Sequence, residues 1–176
     1  LYYEGEQAFS NILKKRLSVS SPSAVFQDPI PGSHFISPTD GSFILGPELP
    51  RIKNLDEIPS PYTTGLMDKF FDGVKTPMVE TARGCPFLCN FCNAGDSYFN
   101  QVNKFSDDYV REEFTYIARK ASAASVRTVM IADNNFGMIP RDFKTSELLF
   151  HLQEKYCWPM SILLFTGKNV FIQNGI

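Results

Sequence analysis

Cys85, Cys89 and Cys92 crowd three thiols into the eight-residue run Cys85-Pro86-Phe87-Leu88-Cys89-Asn90-Phe91-Cys92. Gaps of three and two residues confine this part of the chain to one tight loop. Thiolates gathered in such a loop suit a soft metal or an iron–sulfur cluster. Three protein ligands also leave one coordination position for a group that is not protein. The apolar, β-branched stretch Thr76-Pro77-Met78-Val79-Glu80-Thr81-Ala82 runs into Arg83-Gly84 and the first cysteine, so the loop is expected to leave the carboxyl end of a strand.

Beyond the loop the pattern becomes regular. Ser106 can cap a helix whose first turn carries Asp107 and Asp108, charges that favour the positive end of the helix dipole. Its apolar face is Val110, Phe114, Ile117, Ala118 and Ala121. Residues 127–132 read as a strand, and residues 142–156 as a helix with Leu148, Leu149, Leu152 and Tyr156 on one side. The near-continuous apolar run 160–165 has the character of a strand buried on both faces of a parallel sheet.

Strand, helix, strand, helix, strand predicts an α/β fold with right-handed crossovers and working residues at the carboxyl ends of the strands. The cysteine loop, Asp133-Asn134-Asn135 and Thr166-Gly167-Lys168-Asn169 then share one rim. Cys157 precedes the third strand, on the opposite face, and is expected to be a small buried apolar residue, not a ligand.

The amino-terminal part is different. Residues 6–17 place Phe9, Ile12, Leu13 and Leu17 at helical spacing, and residues 18–62 then hold eight of the twelve prolines. Short apolar runs there, Ala24-Val25-Phe26 and Ser42-Phe43-Ile44-Leu45, suggest loops with a small hairpin. His34 and His151 have no partner in the pattern and are expected at the surface.

With 176 residues, 43% of them hydrophobic, the chain can bury a core. A net charge of -2 and no basic run longer than Lys14-Lys15-Arg16 give no footprint for nucleic acid. No apolar run is long enough to cross a bilayer and no targeting segment is visible, so a cytoplasmic location is expected, where four cysteines remain reduced. Because the sequence opens at Leu1 and stops at Asn174-Gly175-Ile176, just after what reads as a strand and its turn, a piece of a longer protein is expected, poorly active or inactive by itself.

The spacing C-x-x-x-C-x-x-C with Phe91 immediately before the third cysteine closely resembles the hallmark of the radical S-adenosylmethionine (SAM) superfamily. The resemblance implies a 4Fe-4S cluster held by Cys85, Cys89 and Cys92, with SAM chelating the fourth iron and being cleaved reductively to methionine and a 5′-deoxyadenosyl radical. It places Phe91 near the adenine, or else as a loop anchor packing inward. It makes Asp133, Asn134 and Thr166 cofactor-binding residues. Asp133-Asn134-Asn135-Phe136-Gly137 stands where that family usually has a G-G-E-like element, and resembles a variant in its cobalamin-associated branch.

Residues 55–62 followed by Gly65 look like the approach segment of that branch, and Tyr3-Glu4-Gly5-Glu6-Gln7-Ala8-Phe9 is similar to the tail of its cobalamin-binding domain. The D-x-H-x-x-G element is absent, so cobalamin is implied only for a full-length parent. The implied organisation is a cobalamin-domain remnant with connector over residues 1–48 and a linker over 49–76. The first half of a (βα) parallel barrel would follow over 77–176. A small-molecule or otherwise unreadable substrate, an external electron donor and, for the parent, methyl transfer or another radical reaction complete the implication.

Four bland readings compete. A structural zinc site normally takes four protein ligands in two spaced pairs, and the pairs are missing here. A zinc-stabilised interaction domain and a non-catalytic iron–sulfur electron carrier would nevertheless use the same thiols. Asp-Asn-Asn-Phe-Gly is also ordinary turn chemistry.

Overall fold

The computed structural model describes residues 1 and 3–167, so Lys168, Asn169 and the expected final turn at 174–176 lie outside the described residues. Two compact units divide between Lys53 and Asn54.

The first unit opens with helix α1, Gly5–Ser18, as the spacing predicts. Its buried position is Ala8, however, while Phe9 and Leu17 are 53% and 85% exposed. The period is right and the buried face is not the one expected. Residues 24–26 belong to the 3-10 turn Pro22–Phe26 and not to a strand. The hairpin is built instead from β1, His34–Ile36, antiparallel to β2, Phe43–Leu45, with Phe35 opposite Ile44. Pro22 near the start of the turn explains the difference, since its fixed φ suits a helical turn and not a ladder.

In the second unit, β3 (Met78–Val79), β6 (Thr128–Ile131) and β7 (Ser161–Leu164) form a parallel sheet in the order β3-β6-β7. Helix α2, Asp107–Ala123, connects the first pair and helix α3, Pro140–Tyr156, the second. The fold is mixed α/β around a parallel sheet, as expected. Ser106 caps α2, its Oγ accepting from the Tyr109 N–H at 3.1 Å, and all five expected apolar positions of α2 are buried.

Two features depart from expectation. β7 is exposed along its whole length, because it is the edge of the sheet and pairs only with β6 among the described residues. The first strand also breaks early. After Val79 the chain forms β4, Ala82–Arg83, which pairs antiparallel with β5, Asn103–Lys104. This two-stranded ribbon closes the base of the cysteine loop. Phe105 follows it and stacks on Tyr109 with centroids 4.4 Å apart.

Residues 54–76 are tied into this unit. The Tyr62 hydroxyl accepts from the Met78 N–H and donates to the Met78 carbonyl, both at 2.9 Å, so a side chain takes the place of a neighbouring strand at the start of β3. Ser60 Oγ donates to Glu113 Oε1 at 2.5 Å in a buried pair.

Burial pushes the Glu113 carboxyl above the ordinary carboxylate range, and the Ser60 bond opposes this only in part. A raised folded pKa means that the folded chain holds its proton more tightly than the unfolded chain does. Stability from this group is therefore present at acid pH and falls as pH rises from the unfolded value through the folded one. Glu113→Gln keeps an acceptor for Ser60 and removes the titration. Denaturant unfolding at pH 4 and pH 7 is expected to show the variant gaining on the wild type at the higher pH.

No helix among the described residues is long and apolar enough to cross a membrane.

Candidate functional site

Register decides which residues meet at the rim. Val79 pairs with Ile131 and Ile131 with Leu164, so two steps farther along each strand lie Thr81, Asp133 and Thr166. The first two meet. Asp133 Oδ1 accepts from the Thr81 N–H at 2.6 Å, and Oδ2 from the Thr81 hydroxyl at 2.5 Å. Burial pushes the Asp133 carboxyl upward and the Thr81 bonds pull it back. Thr166 is exposed two residues beyond the end of β7, and Asn134 is exposed at the rim.

The Thr81 carbonyl collects a second set of bonds. Arg141 Nη2 donates to it at 2.6 Å and Arg141 Nη1 to the Phe105 carbonyl at 2.7 Å. One buried guanidinium therefore straps the end of β3 to the end of the ribbon. The neighbouring Asp142 closes the turn before α3, its Oδ2 accepting from the N–H groups of Gly137 and Ile139 at 2.8 and 3.2 Å. Its Oδ1 is buried with no hydrogen-bond partner among the described residues. Asp142 lines a shallow hollow together with Ala82, Gly84, Asp133, Asn134 and Met138.

The cysteine loop is shaped by main-chain contacts. Cys85 N–H donates to Phe99 O at 2.8 Å, and Cys92 N–H to Cys89 O at 3.0 Å. Gly84 has φ +121°, and a Cβ there would collide with the Gln101 carbonyl. A Cβ on Gly95 would collide with the Cys89 carbonyl. Asp96 then caps the next turn by accepting from the Tyr98 N–H.

All four cysteines are free thiols; Cys85 is buried, whereas Cys89 and Cys92 are exposed. Asn135 Nδ2 donates to Cys85 Sγ at 3.1 Å. The described residues contain no group of three or more Cys, His, Asp or Glu side chains already gathered around a metal position. Phe91 is 94% exposed, so it is no inward-packing anchor. Cys157 is exposed too, contrary to expectation, because it occupies the left-handed position (φ 53°) that ends α3. At the other end of β3, an apolar cavity of about 200 Å³ is lined by residues that include Tyr62, Met67, Phe70 and Phe71, away from the cysteines.

Sequence reasoning places the cysteines and Asp133-Asn134-Asn135 on one rim. It misses Thr81, Arg141, Asp142 and the individual role of Asn135. Thr81 sits one turn of the pleat beyond the end of β3, where register could have paired it with Asp133. Asp142 in the first turn of a helix could have been read as a cap.

No family model matches the chain. Curated relatives do. Over 172 residues, 94% of this chain, it is 30% identical to the cobalamin-dependent radical SAM methyltransferase TokK of Streptomyces tokunonensis. The resemblance carried by the cysteine motif therefore extends, as similarity to a cobalamin-dependent radical SAM methyltransferase, over most of this chain. A 2-(S-pantetheinyl)-carbapenam-3-carboxylate methyltransferase of Streptantibioticus cattleyicolor is also 30% identical over 172 residues. The chain spans about a quarter, 24%, of the length of each of these two relatives. In fold it resembles OxsB, a cobalamin-dependent S-adenosylmethionine radical enzyme solved with aqua-cobalamin and S-adenosylmethionine bound, with a TM-score of 0.55 at 18% identity. That likeness covers 92% of this chain and 21% of OxsB. The cysteine loop at the carboxyl rim of a parallel sheet is the feature on which a function can be argued.

Proposed function

We propose that this chain carries the cluster-binding part of a radical SAM enzyme, with Cys85, Cys89 and Cys92 holding a 4Fe-4S cluster whose remaining iron is left for SAM. The observation that carries the reading is the set of three free thiols at C-x-x-x-C-x-x-C spacing, leaving the same rim as Asp133, Asn134 and Asn135. The donor chemistry fits: an odd set of three soft thiolates suits an iron–sulfur cluster with an open corner better than a closed zinc site. Thiolates repel one another until a cation arrives, so closing the loop around the metal is coupled to loading.

The rim also fits the amino-acid end of SAM. Asp142 keeps a buried carboxylate oxygen without a partner among the described residues, in a hollow shared with Asp133 and Asn134, and an ammonium is the complementary guest. Asp133 and Asn134 would accept from that group, Thr166 would reach it from just past the end of the outer strand, and Phe91 would turn from solvent onto the adenine. Bound together, the cluster and SAM would supply one-electron cleavage of the sulfonium to a 5′-deoxyadenosyl radical. The protein's part is to orient both and to exclude water.

For the whole protein, similarity to the methyltransferases supports cobalamin-assisted methyl transfer; an external electron donor and a cytoplasmic setting belong to the same reading. The sheet described here would be the first part of a (βα) barrel, and residues 1–48 the end of a cobalamin-binding-like domain.

Anaerobic reconstitution of the chain with iron and sulfide, followed by electron paramagnetic resonance of the reduced sample with and without SAM, tests the reading. A cluster signal that changes when SAM is added is the expected result. A cluster indifferent to SAM would make the chain an electron carrier, and uptake of zinc without iron an interaction domain; either overturns the proposal.

A further inference from the structure

Of the three cysteines, Cys85 differs from the others in two respects: it alone is buried, and it alone has a side-chain donor on its sulfur among the described residues. That donor is the Asn135 amide, with Nδ2 3.1 Å from Sγ. Its aim is built into the turn. On one side of Asn135 the Asp133 carboxylate is fixed by two bonds from Thr81. On the other, the Phe136 N–H donates to the Phe165 carbonyl at 2.8 Å and the Gly137 N–H is held by Asp142. The turn that joins β6 to α3 thus delivers one amide to one sulfur, fifty residues away in the chain.

We infer that Asn135 is a positioning residue that sets the electron affinity of the cluster through its hydrogen bond to Cys85; the inference rests on the proposed cluster reading. An N–H aimed at a metal-bound sulfur stabilises negative charge there. Reduction adds an electron that spreads over the sulfurs, so the bond favours the reduced state over the oxidised one and raises the reduction potential. The same bond fixes the direction of the Cys85 sulfur before the exposed Cys89 and Cys92 close around the iron. A free thiol could also donate to the amide oxygen, but a metal-bound sulfur only accepts, so the nitrogen is the end that matters once the cluster is in place.

Asn135→Leu removes the donor at nearly constant shape, and Asn135→Asp replaces it with an acceptor bearing negative charge. The wild-type chain is first reconstituted, and its midpoint potential is measured by redox titration followed by electron paramagnetic resonance. A wild type that takes up no cluster overturns the reading beneath this inference, and it is recognised before any variant is compared. With the wild type loaded, both variants are expected to hold the same iron and to titrate at more negative potentials, with Asn135→Asp shifted farther than Asn135→Leu. Loaded variants with the wild-type potential overturn the inference while leaving the cluster reading intact. Should a variant fail to load, the metal-free chain decides: the Asn135 side-chain amide resonances are expected to shift on Cys85→Ser, and resonances that stay put overturn the contact.

Discussion

Substituting alanine for any one of Cys85, Cys89 or Cys92 is expected to reduce retained iron and sulfide to background after anaerobic reconstitution, while Cys157→Ala loads as the wild type does. Three thiolates are the whole protein contribution to the proposed cluster, so the loss of one leaves two ligands where the cubane needs three. Among the described residues no group of three or more Cys, His, Asp or Glu side chains is gathered that could take the cluster instead. Cys157 is exposed at the end of α3, before β7 and so at the far end of the strands from the rim. Iron and sulfide assays with visible absorption read the result directly. Equal loading of the Cys89→Ala chain would show that the loop is not the cluster site. Cys89 and Cys92 are exposed, so their replacement costs little folding stability and the loss of iron cannot be attributed to unfolding.

A large loss of stability is expected from Phe114→Ala. Phe114 is fully buried, at 0% exposure, on the inner face of α2 beside Ile117 and Ala118. Removing the ring forfeits its transfer free energy and leaves a cavity that close-packed neighbours fill only in part, a loss of about 3–5 kcal/mol. Small domains are stable by only about 5–15 kcal/mol, so the change removes a large share of the total. Urea unfolding should show the midpoint falling with little change in slope. Phe143→Ala is the control: that ring is exposed on α3, and its loss should move stability by less than about 0.5 kcal/mol.

Sequence pattern reads best where a periodic face is also the buried face. α2 is the clear case: cap, first-turn charges and five apolar positions all appear as expected. α1 shows the limit, because periodicity locates a helix but does not say which neighbour it packs on, and here Ala8 is buried while Phe9 lies open. β7 departs from expectation for a related reason. An apolar run reports what a strand could bury, and its position at the sheet edge leaves that surface uncovered among the described residues. The shared rim follows from topology and is found. The ribbon of β4 and β5 does not announce itself, since two-residue strands carry too little pattern to be seen. Thr81, Arg141 and Asn135 act through contacts spanning about fifty to sixty residues of sequence, which no local spacing encodes.

Gly84 and Gly95 divide the loop into what must persist and what is free to drift. Both are locked by carbonyl groups of the main chain, so any larger residue must push backbone aside. Pro86, Leu88, Asn90 and Asn93 between them point to solvent and answer to no such constraint. A saturation library across this stretch would therefore return a sharply uneven map, with the two glycines as immovable as the sulfurs and these four exposed positions tolerant of most side chains.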